Sequence, residues 1–187
     1  NFPVDADVPP SFKQDASRRK DRKDIDYVIY EEGIYVGYRW FDKKDMKVSY
    51  PFGHGLSYTT FEYAEPSIEK GKKETAVTVT IRNTGNYPGK EVVQLYVSAP
   101  EGKLDKPVKE LKAFAKTREL KPGESETVTL TVRNEDLASF DESISAWVTD
   151  GGTYQFHLGA SSADIRETLE ADITESSKKA NAVLLRQ

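Results

Sequence analysis

Short runs that alternate apolar and polar residues recur along the middle of this chain, and they narrow its fold more than any other feature. In "ETAVTVTIRN", Val77, Val79 and Ile81 share one face, opposite Thr78, Thr80 and Arg82. "KEVVQLYVSAP" sets Val93, Leu95 and Val97 on one side, "VKELKAFAKTREL" sets Leu111, Ala113 and Ala115 against Phe114, and "ESETVTLTVRN" aligns Val128, Leu130 and Val132. A period of two, rich in β-branched residues, is the signature of a strand with one face buried. Asn83, Thr84, Gly85 and Asn86 supply turn chemistry between strands, as do Pro100, Glu101 and Gly102, and Lys121, Pro122 and Gly123. "ISAWVTDGGTYQFHLGA" reads as two strands closed into a hairpin by Asp150, Gly151 and Gly152. "IRETLEADI" makes a last strand anchored by Ile165, Leu169 and Ile173. The expected fold is all-β: an antiparallel β-sandwich of about seven strands over residues 61–174.

The two ends read differently. Residues 1–24, "NFPVDADVPPSFKQDASRRKDRKD", hold three prolines and a dense mixture of charges, which predicts an extended linker. The basic run Arg18, Arg19, Lys20, Arg22 and Lys23 is interrupted or flanked by Asp15, Asp21, Asp24 and Asp26, so it reads as solvated linker. With a formal net charge of −4, the chain offers no electrostatic case for nucleic acid or a membrane surface. No apolar run approaches the roughly 20 residues that a membrane span needs. Asn1 opens without a leader-like stretch, which points to a fragment or processed product. Residues 175–187 read as a polar, then weakly amphipathic tail or frayed helix.

Catalytic chemistry is hard to find. Cysteine is absent, which removes disulfides, thiolate metal sites and a cysteine nucleophile. His54 and His157 are the only histidines and lack ligand spacing. His157 falls on a strand beside Gln155, opposite Phe156 and Leu158, and is expected to be exposed. Glu135, Asp136, Asp141 and Glu142 in "EDLASFDES" read as a capping loop, not as paired glycosidase acids. No nucleophile elbow or phosphate loop is present, since the glycines of "NTGNYPGKE" join two strands. The residues predict no catalytic site, no metal and no cofactor in this chain.

Residues 30–63 carry ten aromatic side chains in 34 positions, largely outside the alternating pattern. Aromatics at that density fill a core or cover an interface. Residues 1–60 therefore read as a linker followed by an aromatic strap. Three readings stay open for the strap: docking on a neighbouring surface, folding back on the sandwich itself, or a self-contained sugar site. Gly53 and Gly55 permit a tight turn that displays or clamps His54. The competing reading, a carbohydrate-binding module, would need a platform drawn from Tyr87, Tyr96, Phe114, Trp147 and Tyr154.

"EGIYVGYRWFD" followed by "YPFGHGLSYTTFEY" resembles the junction into the C-terminal domain of glycoside hydrolase family 3 enzymes of the β-glucosidase type. "VTIRNTGNYPGKEVVQLYV", "KPVKELKAFAK" and "LKPGESETVTL" are similar to that family's fibronectin type III-like domain, and the likeness runs from about residue 27 to 173. The resemblance implies an accessory domain whose partners are the upstream catalytic domains of the same polypeptide. Carbohydrate would be met only through the parent's active site. The catalytic Asp and the acid/base Glu of such enzymes belong to those upstream domains, so none is carried over. The residues it places at a domain interface or the rim of the cleft are Tyr35, Tyr38, Arg39, Trp40, Phe41, Asp42, Tyr50, Phe52, His54 and Tyr58. His54 stands where relatives often have an aromatic residue. Export, to periplasm or medium, is implied by the family's usual role alone.

Overall fold

The computed structural model describes residues 33–180. The predicted linker, its basic run and the last residues of the tail lie outside them. A short helix, α1 (Tyr38–Lys43), precedes ten strands: β1 (Phe61–Lys70), β2 (Glu74–Asn83), β3 (Val92–Ser98), β4 (Glu110–Lys116), β5 (Ser125–Arg133), β6 (Ser139–Asp141), β7 (Ala146–Thr149), β8 (Gly152–Gly159), β9 (Ile165–Ile173) and β10 (Ser176–Lys179). A 3-10 turn, Asn134–Leu137, links β5 to β6.

Seven long strands make the expected sandwich. One sheet has the order β1-β2-β5 and the other β4-β3-β8-β9, all antiparallel. The alternating residues face each other between them: Val77, Val79 and Ile81 meet Val93, Leu95, Val97, Val128, Leu130, Val132, Phe156 and Leu158 in one buried cluster. Removing each of these side chains from water is worth about 1.5–3 kcal/mol, which sets the register of every strand that carries them. β1 is an edge strand and tolerates Pro66 at a bulge, next to Glu65 with its positive φ of 50°.

Tyr154, near the start of β8, is fully buried, and its hydroxyl donates to the Asp150 carbonyl at 3.1 Å. This is the tyrosine corner of immunoglobulin-like sandwiches. Burial pushes the Tyr154 phenol up to about 12, so the hydroxyl remains a donor across the ordinary pH range.

Three local expectations are corrected. Asp150, Gly151 and Gly152 do not close a hairpin. β7 pairs with β6 and β10 in a small third sheet, while β8 belongs to the four-stranded one. The turn chemistry was sound, but it carries the chain from one sheet to another. The start of the predicted tail is a strand, β10, paired along β7 from Ser176 opposite Thr149 to Lys179 opposite Ala146. His157 is half-buried rather than exposed. Its Nε2 lies 2.9 Å from Ser98 Oγ and its Nδ1 3.0 Å from Thr168 Oγ1. Ser98 donates its own proton to the Val108 carbonyl, so His157 donates through Nε2 and accepts from Thr168. Burial, then Lys109, lowers its pKa and keeps the ring neutral. The Ser98 proton is committed to a backbone acceptor, so this pair is a structural network and not a nucleophile with its base.

Candidate functional site

The strap answers to a peculiarity of β3. Alternation should leave Gln94 and Tyr96 facing solvent, yet they are 4% and 0% exposed. Residues 35–53 cover them, making a third layer on the outside of the four-stranded sheet. Gln94 Nε2 donates to the carbonyls of Gly53 at 3.0 Å and Ala160 at 2.6 Å, and Gln94 Oε1 accepts from the Tyr96 hydroxyl at 2.6 Å. The Phe52 carbonyl accepts from the Ser162 amide at 2.8 Å. Gly53 has φ +81°, and a Cβ there would overlap the Gln94 amide. Only glycine both adopts that backbone and lets it approach so closely.

Six residues of helix cannot hold themselves together in water, so α1 depends on what it touches. Tyr38 is its anchor. The ring stacks on Phe52 at 4.6 Å and meets Tyr96 edge-on at 6.0 Å. Its hydroxyl accepts the Leu111 amide at 2.8 Å, beside a register shift in the β3–β4 pairing. Tyr35 donates to the Lys106 carbonyl at 3.1 Å. Ion pairs to the β3–β4 loop and the start of β4 flank these contacts. Arg39 reaches Glu110 at 3.1 Å, Lys43 reaches Asp105 at 2.6 Å, and Lys109 lies 2.7 Å from Asp42. Lys43 and Asp105 are exposed, so their pair adds little; the Lys43 bond still holds the Asp105 carboxyl below its ordinary range. Lys109 and Asp42 are largely buried and need each other more.

Of the ten residues predicted at an interface, Tyr35, Tyr38, Arg39 and Asp42 are thus engaged on the sandwich. Trp40 and Phe41 are half-buried, with the Lys44 ammonium 5.2 Å from the Trp40 ring centre. Phe52 spends one face on Tyr38 and stays partly exposed. Tyr50 and Tyr58 are 78% and 95% exposed, and exposed His54 sits against the Tyr50 ring at 5.7 Å. Leu56, which the sequence reading passed over, is also 95% exposed, and Ile34, Val36 and Val48 join it. Its signal was available: an apolar residue between the turn glycine and Tyr58, where no alternation gives it a core. The strap is thus fixed to β3 and β4 through Tyr35, Tyr38, Arg39 and Asp42 and leaves Tyr50, Leu56 and Tyr58 exposed.

Beside the strap, the loop between β8 and β9 is equally fixed. Buried Ser161 accepts the amides of Ala163 and Asp164, and Arg166 binds Asp164 through two contacts of 2.5 and 2.8 Å. Arg166 holds the Asp164 carboxyl below its usual range, with a smaller contribution from His54. The guanidinium also lies 5.8 Å from the Tyr63 ring, whose hydroxyl donates to Glu91 at 3.0 Å. Burial raises the Glu91 carboxyl above its ordinary value, against the pull of Tyr63 and Arg166. A carboxyl that binds its proton more tightly when folded contributes stability below the ordinary carboxylate pKa and loses it as pH rises through the raised value. Glu91→Gln keeps an acceptor for Tyr63 without the charge. Its stability relative to the parent chain should therefore climb from about pH 4 to pH 7 in urea unfolding. A relative stability that stays flat with pH would show that folding leaves the Glu91 proton affinity unchanged, and one that falls as pH rises would show that the ionised form is the better partner.

Of the five residues named for the aromatic platform of a carbohydrate-binding module, three are exposed and two are not. Tyr96 and Tyr154 are buried, and Tyr87, Phe114 and Trp147 lie on separate elements. The Trp147 ring meets Phe140 at 61°, edge-on.

Comparison with known proteins agrees with this architecture. Residues 91–162 match the fibronectin type III-like domain family. The chain is 49% identical over 166 residues to Beta-glucosidase A of Butyrivibrio fibrisolvens, covering 77% of this chain and 20% of that protein. It is 44% identical over 144 residues to Beta-glucosidase BoGH3A of Bacteroides ovatus, covering 75% of this chain and 19% of that one. The solved structure of beta-glucosidase 3B from Thermotoga neapolitana in complex with glucose superposes with a TM-score of 0.79 at 47% identity, over 82% of this chain and 21% of the other. The chain thus spans about one fifth of the length of these relatives. With its seven-stranded sandwich, tyrosine corner and aromatic strap, it belongs with the fibronectin type III-like domains of glycoside hydrolase family 3 β-glucosidases.

Proposed function

We propose that this chain is a non-catalytic accessory domain of a family 3 β-glycosidase acting on β-glucosides. It packs on the catalytic domains of the same polypeptide, stabilises them and shapes the outer part of the substrate cleft. One observation carries the reading. The strap is fixed on its inner side, yet it turns Tyr50, Leu56 and Tyr58 outward with almost no cover. An element held this firmly gains nothing from apolar side chains in water, whereas a neighbouring domain would bury them at about 1.5–3 kcal/mol each. The four fifths of each relative that lies outside the match supplies such a neighbour.

Leu56→Asp tests it. In the 187-residue chain the substitution touches nothing, and the melting temperature should hold. In the protein expressed from the whole reading frame, melting should fall by several degrees and aryl-β-glucoside hydrolysis should be lost at correspondingly lower temperature. A whole enzyme indifferent to Leu56→Asp would refute the docking role. So would a reading frame that encodes no catalytic domain.

A further inference from the structure

We infer that the docking face is composite: the loop of residues 160–166 forms its polar half beside the strap, and Gln94 holds the two at one level. This rests on the docking reading above and extends it from the strap to a second element. The strap turn and this loop come from distant parts of the chain, yet one buried amide binds the carbonyls of Gly53 and Ala160 together. The Phe52 carbonyl and the Ser162 amide add a second tie at 2.8 Å. Two loops joined in this way move as one surface.

The loop is built to stay in place. Its two serines, Ser161 and Ser162, are buried, and Ala160 N–H closes it on the Asp164 carbonyl at 2.9 Å. A Cβ on Gly159 would overlap that same carbonyl, so the backbone passes as close to itself as glycine allows. What this rigid loop presents is exposed Ala163 and the Asp164–Arg166 pair, with His54 near enough to act on the Asp164 carboxyl. The strap contributes the exposed side chains of Tyr50, Leu56 and Tyr58, and the loop tied to it contributes a small residue with an arginine–carboxylate pair. That is the anatomy of a domain interface: aromatic and aliphatic anchors with a polar rim. The partner it fits is another domain of the same polypeptide. That domain would bring an apolar patch against the strap and a polar margin close enough to Ala163 to leave no room for a larger side chain.

Ala163→Arg is the test, with Leu56→Asp beside it, each in the whole enzyme and in the 187-residue chain. Ala163 is exposed with an ordinary backbone, so the chain alone should melt unchanged. In the whole enzyme Ala163→Arg should lower melting by roughly 2 °C or more. Hydrogen exchange on the unmodified proteins gives an independent reading: residues 160–166 should exchange more slowly in the whole enzyme than in the chain. If Leu56→Asp destabilises the whole enzyme while Ala163→Arg does not and residues 160–166 gain no protection, the face ends at the strap and the inference is wrong. If neither substitution matters, the docking reading itself has failed.

Discussion

Asn83→Ala is expected to lower the stability of the chain by about 3 kcal/mol, because four groups lose a hydrogen bond at once, although the Leu120 carbonyl keeps the Gly89 amide. Asn83 is fully buried at the end of β2. Its Oδ1 accepts from the Thr59 hydroxyl at 2.6 Å and the Gly85 amide at 3.0 Å. Its Nδ2 donates to the carbonyls of Tyr87 and Leu120, each at 2.8 Å. One side chain therefore ties the strap's entry into β1 to the β2–β3 loop and to Leu120. The site is tightly packed, since a Cβ on Gly85 or Gly89 would press on Thr59. Asn83→Asp should be nearly as damaging, since it turns a carboxylate oxygen toward two carbonyls. Urea unfolding is the measurement: the midpoint should fall with little change in slope. A loss under about 1 kcal/mol would mean that the surrounding groups find other partners.

Gly53→Ala should cost about 2–3 kcal/mol and loosen the strap before the sandwich. Its φ of +81° penalises any side chain, and the new Cβ would displace the Gln94 amide from both carbonyls it holds. The nearby Gly55 is the internal control, because a Cβ there meets nothing within 4 Å. Hydrogen exchange separates the effects. In Gly53→Ala the Ser162 amide, bound to the Phe52 carbonyl, should lose protection while the β2–β5 pairs keep theirs. Equal behaviour of Gly53→Ala and Gly55→Ala would show that the Gln94 clamp does not hold the strap.

How much of this was legible follows from where each cause lies. The seven sandwich strands could be read because burial of one face imposes a period of two on the residues themselves, as in Val77, Val79 and Ile81. The burial of Gln94 and Tyr96 could not, because the strap that covers them lies about forty residues away. The role of Asp150, Gly151 and Gly152 was half legible: turn residues announce a reversal but not the partner of the strands beside it. β10, "SSKK", is exposed throughout and carries no alternation to read. In the strap, aromatic density marked the region. Which side of it faces the sandwich was fixed by Leu111, whose amide finds Tyr38 across 73 positions of sequence.

β3 is covered on both faces, which changes what can be moved as a cassette. The outer cover comes from residues that precede the first strand, so a graft cut at Phe61 would leave its own roof behind. Gln94 would surrender the Gly53 carbonyl, Tyr96 would turn an aromatic ring to water, and the Leu111 amide would lose the oxygen that caps it. The portable unit is strap and sandwich together, and swapping such domains between enzymes means exchanging the seam as well as the cloth.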